Sequence, residues 1–150
     1  MTENRKTQLW HIVQSLPVTL DERMHYISVF MQFSEASEEN DACFPVAMFH
    51  DLVEDGYISM EELAKKARLT AEQVAALEAI TRKQGERYFD YIERVKKNEI
   101  ARKVKLADLT HNIGRCAYDL PNRWGLIRRY AKAYGILIGE WKEKEARGEE

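Results

Sequence analysis

Apolar residues in this 150-residue chain recur at intervals of three and four and seldom alternate, and this spacing narrows the fold more than any other feature. It lines up side chains on one face of a helix and leaves a strand no consistently buried face. Three prolines and seven glycines punctuate the pattern, and few alternating β-branched runs remain from which to build a sheet. The expected fold is therefore all-α, one compact bundle of about six to eight helices forming a single domain over 1–150.

Local signals divide the chain. A first helix is expected from about Arg5 to Leu16, stopping ahead of Pro17, which disfavours helical geometry in the residue before it. Thr19-x-x-Glu22 has capping-box form and opens a helix carrying His25, Tyr26, Val29, Phe30 and Phe33, with the polar run "SEASEEND" as its exit. A third helix holds "FPVAMFHDLVEDG", with Pro45 in its first turn and Gly56 at its end. Ser59-x-x-Glu62 and Thr70-x-x-Gln73 offer further capping boxes, and Gly85 breaks the chain before "RYFDYIERVKK". A helix from about Glu99 to Cys116 contains "VKLADLTHN", and a last amphipathic helix is expected over 122–146. Trp10, Trp124 and Trp141 read as core or interface anchors, and the aromatic-rich last helix suits a homodimer.

Composition excludes several classes. With 45% hydrophobic and 32% charged residues the chain can bury a core, so wholesale disorder is set aside. A net charge of −2 supplies no field toward nucleic acid or anionic lipid. The stretch "ISMEELAKKARLTAEQVAALEAIT" has the outline of a helix-turn-helix, but it sets Lys65, Lys66 and Arg68 against Glu61, Glu62, Glu72 and Glu78, where a DNA-reading surface should be basic. A DNA-binding protein is thus a rival of another class, and no nucleic-acid partner is expected. Cys43 and Cys116 match no C-x-x-C pattern and read as buried thiols in a reducing compartment. No apolar run of about 18 residues occurs, so no membrane span is expected, and the expected location is cytoplasmic.

The chemistry concentrates in "HDLVED". On a helix His50 would share a face with Glu54, and Asp51 with Asp55, all beside apolar neighbours. Burying such groups unpaired is costly, and a bound cation removes the cost by taking imidazole and carboxylate as ligands. One helix cannot wrap an ion, so partners must come from elsewhere, and His25 and Asp108 are the candidates. Imidazole and carboxylate ligands together suit a mid-series divalent ion. Positive charge for a small anionic ligand could come from Arg82, Lys83 and Arg87 in "TRKQGERY", or from Lys103 and Lys105. Tyr88 and Tyr91 read as core packing, and His11 and His111 as structural.

His25-x-x-x-Val29, then His50-Asp51, then Asp108 in "KLADLTHN" resemble the signature of the HD superfamily of metal-dependent phosphohydrolases, over about 25–115. Glu54-Asp55 and the full "VKLADLTHN" are similar in particular to the RelA/SpoT-type branch, whose hydrolase domains remove pyrophosphate from (p)ppGpp. The resemblance implies that His25, His50, Asp51 and Asp108 hold one divalent ion, commonly manganese (Mn2+) in that branch. It further implies that Glu54 orients or deprotonates the attacking water with Asp55 in support, and that Asn112 touches the substrate. The implied activity is hydrolysis of a nucleotide-type phosphoester, with (p)ppGpp-like pyrophosphohydrolysis first, a nucleoside monophosphate phosphatase second, and a nucleotide-binding protein without turnover third. In that branch a basic motif precedes the first histidine; here "TQLWHIVQSLPVTLDERM" offers only Arg23.

Overall fold

A computed structural model of the chain describes residues 1–140. The expected Trp141 anchor and the end of the last helix, to 146, lie outside the described residues. Within them the chain is all-helical: α1 (Glu3–Gln14), α2 (Leu20–Phe30), α3 (Glu38–Phe49), α4 (Met60–Lys66), α5 (Ala71–Ile80), α6 (Tyr88–Lys96), α7 (Glu99–Cys116) and α8 (Leu120–Ile138), with short 3-10 turns at Met31–Phe33 and Ala117–Asp119. None of these helices is long and apolar enough to cross a membrane.

Capping chemistry sets most of the starts. At α2 both capping-box bonds form: Glu22 N–H donates to Thr19 Oγ1 at 3.2 Å and Thr19 N–H to Glu22 Oε2 at 2.9 Å. The same reciprocal pair, Thr70 with Gln73, opens α5. Ser59 makes only the forward bond, from Glu62 N–H, at the start of α4. The start of α3 differs from expectation. Ser37 caps it by accepting from Asn40 N–H at 3.0 Å, so "SEEND" opens this helix instead of merely closing the previous one. Glu38, Glu39 and Asp41 then sit in the first turn, where the positive end of the helix dipole favours them, and Pro45 falls in the interior. The helix also stops sooner, at Phe49; residues 50–56 form hydrogen-bonded turns that end on Gly56, in the left-handed region at φ +77°.

α3 and α7 are the two central helices. α7 packs against α2, α3, α5, α6 and α8, and α3 against α1, α2, α5 and α7. From Cys43 to His50 every residue of the α3 region is buried, as a helix surrounded on all sides requires. α4 and α5, the outlined helix-turn-helix, bury Leu63, Ala67, Ala76, Leu77 and Ile80 in the same core. Trp10 packs on Phe30, but Trp124 is 55% exposed on α8 and no core anchor. Both cysteines are free and buried, and burial pushes the Cys43 thiol up to about 11.

One side chain holds the loop between α5 and α6. Arg94 donates to the carbonyls of Glu78 (3.1 Å), Ala79 (2.9 Å) and Thr81 (3.0 Å), groups left open by the end of α5, and pairs with both Glu86 carboxylate oxygens at 2.9 and 3.0 Å. That pairing holds the Glu86 carboxyl down to about 2, so its stabilising effect is complete above the ordinary carboxylate range and is lost as pH falls toward 2. Arg94→Ala is expected to lower unfolding free energy by about 2 kcal/mol at pH 7, because charged hydrogen bonds and the last carbonyls of α5 lose their partner together. Urea denaturation checks this, and the deficit should shrink at pH 2.

Candidate metal centre

The cluster forms where α2, the end of α3 and α7 meet. His25 projects from α2, His50 is the residue on which α3 ends, Asp51 begins the following turn, and Asp108 lies in the middle of α7. His25 Nε2 is 2.8 Å from Asp108 Oδ1 and 3.6 Å from Asp51 Oδ2; His50 Nε2 is 3.1 Å from Asp51 Oδ2 and 3.3 Å from Asp108 Oδ1. One ligand-type atom from each of the four residues lies within 4.8 Å of all the others. His25, His50 and Asp108 are buried, while Asp51 is partly open to a cleft.

The end of α3 explains part of the geometry. The last carbonyls of a helix have no partner within it. The carbonyl of Ala47 is one of these, and His50 Nδ1 sits 2.6 Å from it. A proton on Nδ1 then leaves the Nε2 lone pair facing the cluster. His25 is arranged alike, with its Nδ1 2.6 Å from Nδ1 of His111, one turn beyond Asp108 on α7. His111, expected as structural, therefore belongs to the site. Burial, with His25 and Arg115 adding to it, holds His111 below the ordinary histidine value, which favours its neutral form.

The fit to a cation rests on what converges. Two imidazole Nε2 atoms face each other at 3.3 Å with two carboxylates alongside, a donor set that leaves lone pairs opposed unless a proton or a cation lies between them. Burial alone would raise Asp108, yet Lys105 and the two imidazoles hold its carboxyl well below the usual range. Burial alone would lower His50, but the Asp51 and Asp108 carboxylates raise it well above its usual value. These residues could hold a metal ion; nothing in them names which.

The other candidates separate by place. Glu54 and Asp55 line the cleft beside the cluster, and Glu54 Oε1 accepts from Arg82 N–H at 2.7 Å. Burial raises Glu54, with the Asp51 charge adding and the Arg82 bond partly offsetting. Partial burial, then the Asp51 and Glu54 charges, pushes Asp55 up to about 6. Asn112 Nδ2 donates to Asp108 Oδ1 at 3.2 Å, and Lys105 Nζ to Asp108 Oδ2 at 2.7 Å. Burial opposes the Lys105 charge, but Asp108 raises it well above the usual lysine value. Arg82 reaches the cleft although its guanidinium donates to the Glu86 carbonyl. Lys83 and Arg87 do not reach it; they line a neighbouring depression with Gln84 and Gly85. Lys103 is paired with Glu39 and Glu99 away from the site.

The cleft has a volume of about 670 Å³, within the range of small-molecule sites. Tyr26, Tyr88, Arg115, Arg129 and Tyr130 also line it. The sequence carried a signal for His111, three positions after Asp108 and so on its face of α7. It carried none for Arg129 or Tyr130, whose place depends on how α8 docks. Both tyrosines line the cleft: Tyr91 is buried, its hydroxyl donating to the Ile80 carbonyl at 2.5 Å, and Tyr88 is half-buried. Compared with known proteins, the chain matches no family model and no curated protein.

Proposed function

We propose that this protein is a metal-dependent phosphohydrolase of HD type that cleaves a nucleotide-type phosphoester, with (p)ppGpp-like pyrophosphohydrolysis as its reaction. The convergence of His25, His50, Asp51 and Asp108 at the floor of an open cleft, with Glu54 beside them, carries the reading. A divalent ion bound there, manganese being the proposed one, would acidify a water toward ionisation at neutral pH and counter phosphate charge. The chain's own residues do the rest. Arg82 N–H fixes one Glu54 oxygen, leaving the carboxylate aimed and, with its proton affinity raised by burial, suited to take a proton from the attacking water. Asp55 keeps a second proton acceptor close by. Asn112, held by Asp108, and Arg82 face the space where the phosphate oxygens would lie.

For both imidazoles to offer Nε2, each must place its proton on Nδ1, and His111 is the acceptor that allows His25 to do so. His111→Ala should therefore weaken metal binding by about 10- to 100-fold, the range for a ligand's supporting partner. Calorimetric titration with Mn2+ checks it; unchanged affinity would remove His111 from the site. The reaction itself is tested by incubating Mn-loaded protein with alarmones, nucleoside triphosphates and deoxynucleoside monophosphates and resolving products by ion exchange. The expected product is pyrophosphate from an alarmone. Orthophosphate from monophosphates alone would replace the substrate assignment, and no product from any of them would defeat the reading.

A further inference from the structure

The cleft is lined by groups of both charges. Carboxylates that include Glu22, Asp51, Glu54 and Asp55 line it, and so do cations from α7 and α8. Among those cations Arg129 stands apart. Its guanidinium lies 3.7 Å from the Tyr88 ring centre, and among the described residues it has no hydrogen bond or ion pair; its Nε is buried and unpartnered. The Tyr88 hydroxyl is also buried without a partner. Arg115, which lines the cleft too, is exposed and has no ion pair among the described residues. Orphaned donors inside a protein cost free energy, and one on each of two stacked side chains, in a cleft that also holds the Arg115 guanidinium, are matched by an acceptor-rich anion.

We infer that Arg129, stacked on Tyr88 and joined by Arg115, forms an anion subsite that takes a second phosphate group of the substrate, apart from the one at the metal centre. This rests on the phosphohydrolase reading only for the identity of the ligand. Arg129 is suited to the task because a planar guanidinium can present two parallel N–H bonds to phosphate while its face rests on an aromatic ring. Tyr88 contributes a hydroxyl donor and holds the guanidinium plane. Specificity follows: a substrate with two phosphate groups engages both ends of the cleft, and one with a single phosphate engages only one.

The test uses the full chain in two arms. In the first, metal is removed with EDTA and inorganic phosphate is titrated while amide shifts are followed by NMR; without metal, the carboxylates of the cluster repel phosphate and the Arg129 subsite reports alone. Saturable shifts are expected at Tyr88, Arg115 and Arg129, weakened about tenfold by Arg129→Gln and less by Tyr88→Phe. Arg128→Gln, which removes the same charge from an exposed neighbour on α8, should leave them unchanged. Shifts that are absent, scattered over the surface, undiminished in Arg129→Gln or equally diminished in Arg128→Gln overturn the subsite. In the second arm, Arg129→Gln should raise KM for the hydrolysed substrate about tenfold with kcat retained; an unchanged KM overturns its role in substrate binding. Should no hydrolysis occur at all, the first arm still decides whether the subsite exists.

Discussion

Asp51→Ala is expected to reduce Mn-dependent hydrolysis by more than about 100-fold, beyond what loss of a mere supporting partner costs, while the chain stays folded. Asp51 is the most accessible of the four clustered residues, with its side chain 28% exposed at the cleft floor, so its removal leaves little uncovered in the core. What it does remove is the carboxylate 3.1 Å from His50 Nε2, the only one of the two that Lys105 does not engage. Rate assays with urea denaturation alongside separate the effects. Hydrolysis within tenfold of the parent in a folded Asp51→Ala protein would show that the cluster is not the reaction centre.

Glu54→Gln should lower kcat by about 10²- to 10⁴-fold, the usual contribution of a positioned general base, and leave metal affinity within a few-fold of the parent. The amide keeps the size of the side chain and can still accept the Arg82 N–H bond, so the loop between α5 and α6 stays in place. It cannot take a proton. The result distinguishes base from ligand: loss of metal affinity in parallel with rate would move Glu54 into the ligand set, and an unchanged kcat would leave the water without the base assigned to it.

How much of this was legible beforehand follows from the range over which each feature is determined. The Thr19–Glu22 and Thr70–Gln73 capping boxes are decided within four residues, and both form as their spacing implies. The convergence of His25, His50, Asp51 and Asp108 was anticipated from their match to the HD signature, to which the cost of burying the ionisable groups after Phe49 added a physical reason. Where two local signals competed, the expectation slipped. Pro45 suggested a helix start, but Ser37 with an acidic first turn set it at Glu38, ahead of the start a first-turn proline implies, and the α3 helix gave way to turns at His50. Features made by docking were out of reach. Arg94 gathers carbonyls from the end of α5, Arg129 meets Tyr88 across the α6–α8 contact, and neither spacing nor composition encodes those meetings.

The most direct test of the central claim is a calorimetric titration of metal-free protein with Mn2+, run on the parent, His25→Ala and Asp108→Asn. Ligands from α2 and α7 that close on the His50–Asp51 pair require one ion per chain in the parent, and both variants should lose that binding by at least about 100-fold, more than a supporting partner contributes. Absence of binding in the parent, or the same stoichiometry and affinity in His25→Ala, would contradict a metal centre built from these three helices.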